Sequence, residues 1–201
     1  MEMTGEQLIP APQEETWAAL NDPEILKACV PGCESIERVS DTEFTVQMTA
    51  RVGPVSAKFK GKLTLSDIKP PHSYSMAFEG QGGAAGFAKG GAQVRLAPEV
   101  VDGKAGTRLS YSAKANVGGK LAQIGSRLID AAANKVAGDF FQAFNEKMGE
   151  LHGAHAAEAH DAHHPEPVPR DPDLPEVAEA SLAFFAAGAL VVFVVALITL
   201  F

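Results

Sequence analysis

"EFTVQMTARV", residues 43–52, alternates without a break. Phe44, Val46, Met48, Ala50 and Val52 are apolar, and Glu43, Thr45, Gln47, Thr49 and Arg51 between them are polar. Successive side chains of a strand point to opposite faces, so the pattern predicts a strand with one dry and one wet face. Gly53-Pro54 then turns the chain. In "VSAKFKGKLTL" (55–65), Val55, Ala57, Phe59, Leu63 and Leu65 share one face, and Lys58, Lys60 and Lys62 share the other. The alternation returns with Tyr74, Met76 and Phe78, then Ala92, Val94 and Leu96, then Leu109, Tyr111, Ala113 and Ala115. Short runs of this kind, joined by turn residues, predict an antiparallel meander.

A sheet with one dry face needs a cover. In the stretch from Val117 to Leu151, the residues Leu121, Ile124, Leu128, Ala132, Val136, Phe140, Phe144 and Met148 recur at three and four residues. That spacing predicts an apolar stripe on one long helix. Near the other end, "APQEETWAALNDPEILKAC" (11–29) predicts two short helices, with Pro12 at a helix start and Asn21-Asp22 capping before Pro23. The expected order is a strand, two short helices, about six strands and a long C-terminal helix, an α+β fold.

Charge divides the chain further. Residues 1–150 carry 16 Lys+Arg against 18 Asp+Glu, whereas residues 151–201 carry one basic residue, Arg170, against seven acids. No basic face for nucleic acid is expected from this distribution. Residues 152–176 hold five of the six histidines, five prolines and six acids, the composition of a solvated tether. From Ala180 to Phe201 no side chain is charged. As a helix this segment would span about 33 Å, close to the hydrocarbon core of a bilayer. The start, "MEMTGEQLIP", lacks the basic region of a secretory signal. Three units are therefore expected: a folded domain at 1–151, a linker at 152–179, and a membrane anchor at 180–201 that leaves the domain on the cytoplasmic side.

Catalytic chemistry has few candidates. None of the positions assigned inward is an acid or a base, and the one histidine of the folded part, His72, follows Pro70-Pro71 near a strand start. Tyr74 and Tyr111 are the inward polar groups, each able to give a hydrogen bond to a ligand carbonyl. "GQGGAAGFAKGG" (80–91) has six glycines in twelve residues but leads into a strand, not a helix, so it is no phosphate cradle. It is expected to form a rim with Gly83, Gly86 and Phe87. Cys29 and Cys33 flank Val30-Pro31-Gly32, a sequence suited to a type II turn. A redox pair, half of a metal site and plain packing are the alternatives. In a reducing compartment packing is the expected role, and no metal site is expected.

Small inward residues on several strands, among them Ala50, Ala57, Gly61, Ala88, Gly90, Ala92, Ala113 and Ala115, either let the helix pack closely or leave space for a ligand. The element order resembles the helix-grip arrangement of the START-like, or SRPBCC, superfamily, in which a curved sheet and a long helix enclose an apolar cavity. More specifically, "ACVPGCESIE" (28–37), "ARVGPVSAKFKGKLTL" (50–65), "GAAGFAKG" (83–90) and "GGKLAQIGSRLIDAAANKVAGDFFQAF" (118–144) resemble the CoxG family, associated with carbon monoxide dehydrogenase. The resemblance implies a non-catalytic accessory of aerobic CO oxidation that links a molybdenum CO dehydrogenase, or a related molybdenum hydroxylase, to the membrane. With an apolar cavity on a leash, two roles stand open: a carrier that presents a quinone to the enzyme, or an adaptor working by protein contacts alone. A polyketide-cyclase-like enzyme is a third class. No covalent cofactor is expected. For the carrier, the expected cavity lining is Phe44, Met48, Phe59, Met76, Phe78, Tyr111, Ile124 and Leu128, any of which can equally be plain core.

Overall fold

A computed structural model describes residues 2–52 and 55–161, with side chains described over 2–51 and 56–152. The element order is β1 (Glu2–Ile9), α1 (Gln13–Leu20), α2 (Pro23–Cys29), β2 (Cys33–Arg38), β3 (Glu43–Val52), β4 (Val55–Lys69), β5 (Ser73–Gln81), β6 (Phe87–Val101), β7 (Lys104–Gly118) and α3 (Ser126–Asp161). This is the expected strand, helix pair, six strands and long helix. The side chains of Val52 and Val55, the linker beyond 161 and Ala180–Phe201 lie outside the described residues.

The seven strands form one antiparallel sheet in the order β1-β7-β6-β5-β4-β3-β2. Every strand follows its chain neighbour except β1, which pairs with β7 from Glu2↔Lys114 to Ile9↔Thr107. The alternation puts Phe44, Val46, Met48 and Ala50 inward on β3, Tyr74, Met76 and Phe78 on β5, and Leu109, Tyr111, Ala113 and Ala115 on β7, all of them buried. Two positions need glycine for closeness. A Cβ on Gly90 would come within 2.1 Å of the Lys114 carbonyl oxygen, and Gly86 has φ +126 with the Gly118 carbonyl oxygen 2.0 Å from where a Cβ would sit. The β5–β6 connection is thereby pressed against the end of β7.

The helix pair sits over one end of the sheet. Asp22 caps α2, its side chain accepting from the backbone N–H of Glu24 and Ile25, with Pro23 in the first turn. Pro12 precedes α1 as expected. Thr107 donates to the Ala11 carbonyl at 2.7 Å, and Thr16 lies 3.1 Å from the Thr107 hydroxyl, so the two fully buried threonines satisfy each other and pin α1 to β7.

The long helix departs from expectation at its start. β7 runs on to Gly118, Gly119 (φ +83) and Gly125 (φ +97) break the chain, and a short 3-10 turn, Leu121–Ile124, precedes Ser126. Leu121 and Ile124 therefore contribute from that turn, buried and half-buried, and not from the helix. Leu128, expected inward, is 52% exposed, and the buried residues are Ile129, Ala133, Ala137, Phe140, Phe141, Phe144 and Met148. The reason is geometric. At about 100° per residue, the expected run from Leu128 to Met148 in steps of four drifts about 40° per step, ending roughly 200° round the helix. The observed set spans about 120°, from Ile129 to Phe141, a width one packed face can hold.

Candidate functional site

Between the concave face of the sheet and α3 lies the apolar interior. Phe44, Met48, Phe59, Met76, Phe78 and Tyr111, six of the eight residues expected to line a cavity, are buried in it. Ile124 packs against its edge and Leu128 does not join it. The surface clefts do not gather the set: Met48 and Phe59 border one with Gly83, while Phe78 borders another with Gly90. Small residues are concentrated on neighbouring strands, in register at Ala92↔Ala113 and Gly90↔Ala115. Tyr111 stacks on Phe141 of α3 at 5.7 Å, one of the contacts that closes sheet onto helix.

One end of the interior carries a polar pair of which the sequence singled out Tyr74 but not its neighbour. Trp17, from α1, meets Tyr74, from the start of β5, edge to face with ring centroids 5.6 Å apart. Both are almost wholly buried, yet neither the Trp17 indole N–H nor the Tyr74 hydroxyl has a hydrogen-bond partner. A buried polar group without a partner costs about 1–3 kcal/mol. Burial pushes the Tyr74 phenol far above its ordinary pKa, so it is a neutral O–H at any physiological pH. Two neutral donors on touching rings suit a guest that brings oxygen with lone pairs to give. The sequence signal was present: Trp17 is the chain's single tryptophan and lies on the same helix as the buried Leu20.

At the opposite end, where α3 begins, a cleft of about 660 Å³ runs between β1, the end of β7 and the first turns of α3. Met3, Ala115, Val117 and Ile129 give it an apolar floor, and Glu2, Asn116, Asp130 and Asn134 a polar border. The glycine-rich connection meets the end of β7 here. Gly83–Ala85 forms a short 3-10 turn, Gly83 is in the left-handed region at φ +58, and Phe87, expected on a rim, is 46% exposed with its ring over Gly118.

His72 is exposed, 3.0 Å from Gln13, which itself donates to the carbonyls of Pro71 and Leu96. It is held at the edge of the fold, as expected. Besides Trp17 and the tyrosines, the buried polar side chains among the described residues are Thr16 and Thr107, and no group of three or more His, Cys, Asp or Glu is drawn together. Cys29 and Cys33 are both free. Pro31-Gly32 makes the expected turn, with Gly32 at φ +74 and the Cys33 N–H donating to the Val30 carbonyl at 3.2 Å. Burial raises the pKa of both thiols, that of Cys33 to about 11, so neither is a ready thiolate at neutral pH.

Relatives by structure share this architecture. A crystal structure of a conserved protein from Geobacillus kaustophilus superposes with a TM-score of 0.68 at 31% identity, covering 75% of this chain and 96% of its own. A START superfamily protein from Mycobacterium smegmatis gives 0.54 at 12% identity, covering 75% and 98%. A protein from Thermus thermophilus gives 0.53 at 18%, covering 75% and 99%. At such identities the last two show the fold alone, the START-like one. No curated protein matches the chain. A family model for CoxG, a carbon monoxide dehydrogenase component, matches residues 5–149.

Proposed function

Because the chain belongs to the CoxG family of carbon monoxide dehydrogenase, whose members are accessory to that enzyme, we propose that it carries a quinone between the membrane and the dehydrogenase. The observation that carries this is the unpartnered Trp17 and Tyr74 pair at the end of an otherwise apolar interior. A quinone has the matching chemistry, a ring carbonyl to accept from two neutral donors and an isoprenoid tail for the apolar remainder. From Tyr74 to Gln81, β5 spans about 23 Å at roughly 3.3 Å per residue, the length along which a tail would pass Met76, Phe78 and the small residues of β6 and β7 toward the cleft beside α3. No buried acid or base is placed to transform such a guest among the described residues, which supports carriage over catalysis.

Membrane tethering is part of the same proposal. Among the described residues no helix is long and apolar enough to cross a membrane, and the uncharged segment from Ala180 to Phe201 is where an anchor would lie. The linker before it would leave the domain leashed at the cytoplasmic face.

The test is an undirected mass-spectrometric identification of what copurifies with the chain, followed by addition of the dehydrogenase and CO. Quinone in the extract, reduced only when both are present, is the expected result. A delipidated chain that neither takes up quinone nor changes electron transfer refutes carriage and leaves an adaptor.

A further inference from the structure

The connections of an antiparallel sheet alternate between its two ends, and here the ends differ in charge. One end gathers the β3–β4 turn, the β5–β6 connection at 82–86, the turn after β7 and the start of α3. Exposed on it are Arg51, Lys89, Lys120 and Arg127, and among the described residues none of the four is in an ion pair. Of the acids nearby, Glu2 is paired with Lys114 at 3.2 Å and Glu34 with Lys58 at 3.0 Å, leaving Glu79 and Asp130. The first turn of α3 adds the positive end of its dipole. The other end carries Glu14, Glu15, Asp22, Glu24, Asp41 and Asp102 in α1, the start of α2 and the remaining turns, which outnumber its exposed cations Arg38, Lys69 and Lys104.

The basic end also exposes apolar side chains. Phe87 is 46% and Leu128 is 52% exposed, and they flank the basic residues in sequence, Phe87 two before Lys89 and Leu128 directly after Arg127. An aromatic and an aliphatic side chain set among unpaired cations complement one partner chemistry, the interface of an anionic bilayer. There apolar groups reach the acyl boundary and each cation adds about fivefold to affinity. We infer that this end of the domain docks on anionic lipid, with Phe87 and Leu128 inserted and Lys89, Lys120 and Arg127 on the headgroups. The cleft beside α3 opens at the same end, so a docked domain faces the bilayer with its mouth. The inference deepens the carrier reading by naming the surface through which the guest would enter.

Phe87→Trp supplies the probe. The native chain has one tryptophan, the buried Trp17, so added emission reports position 87. The full chain is mixed with quinone-free vesicles of brominated phosphatidylcholine, with or without phosphatidylglycerol. The expected result is quenching of the added emission only with phosphatidylglycerol, relieved by salt and weakened more than about tenfold by Lys120→Glu with Arg127→Glu. Emission that stays unquenched, that is quenched equally without phosphatidylglycerol, or that is shielded from aqueous iodide only when the dehydrogenase is added overturns the inference; the last outcome assigns the surface to the enzyme. Should the variant not fold, hydrogen exchange of the unmodified chain over 83–91 and 118–130, with and without anionic vesicles, reads the same contact. Since the vesicles hold no quinone, docking can fail while carriage stands, and carriage can fail while docking stands.

Discussion

Tyr74→Phe separates a hydroxyl kept for a guest from one kept for the fold. The substitution removes one oxygen and leaves the ring that meets Trp17 edge to face at 5.6 Å. In the ligand-free chain that oxygen is buried with no partner, a penalty of about 1–3 kcal/mol that the variant relieves. At about 2–4 °C per kcal/mol for a domain of this size, the delipidated variant should melt about 2–12 °C above the native protein. The loaded protein should respond with the opposite sign. Losing one donor to the guest's carbonyl weakens binding by about 1.4 kcal/mol, roughly tenfold. Thermal unfolding of the delipidated full chain and quinone titration of the same samples give both numbers. Trp17 reports the titration because it adjoins the site. A ligand-free Tyr74→Phe that melts below the native protein would refute the reasoning, since the hydroxyl would then be satisfied within the fold itself.

Further outcomes follow from packing and local geometry. Leu128→Ala should change stability by less than about 0.5 kcal/mol because Leu128 is exposed, whereas Ile129→Ala, one residue on and 5% exposed, should cost about 2–5 kcal/mol by chemical denaturation; equal losses would return Leu128 to the core. Gly86→Ala puts a Cβ against the Gly118 carbonyl in a left-handed conformation, so about 2 kcal/mol or more of stability should be lost. The thiol of Cys33, raised to about 11, should alkylate slowly at pH 8 and accelerate as pH rises toward 11. Because the folded state favours the protonated thiol, the stability it contributes is whole below the unfolded pKa of about 8.5 and is lost as pH climbs past it. Rapid labelling at pH 7 would refute the raised pKa of this half-buried thiol.

The alternation in 43–52 decided the sheet from sequence alone, because a strand's period of two leaves a dry face only one way to turn. The same logic placed Phe44, Met48, Phe59, Met76, Phe78 and Tyr111 inward, and Pro31-Gly32 and Asp22-Pro23 announced their turn and cap through local backbone chemistry. Leu128 shows where that legibility stops. Its helix was drawn across Gly119 and Gly125, whose positive φ ends one element and starts another, and only the docked helix fixes which 120° or so of its surface meets the sheet. The Trp17–Tyr74 pair was beyond the sequence for a related reason. Its residues stand 57 positions apart, and whether a buried donor finds a partner depends on every neighbour that three dimensions bring to it. Sequence determines which faces must be covered, because periodicity and hydrophobicity are properties of each segment; tertiary structure decides what covers them and which polar atoms the covering leaves unmatched.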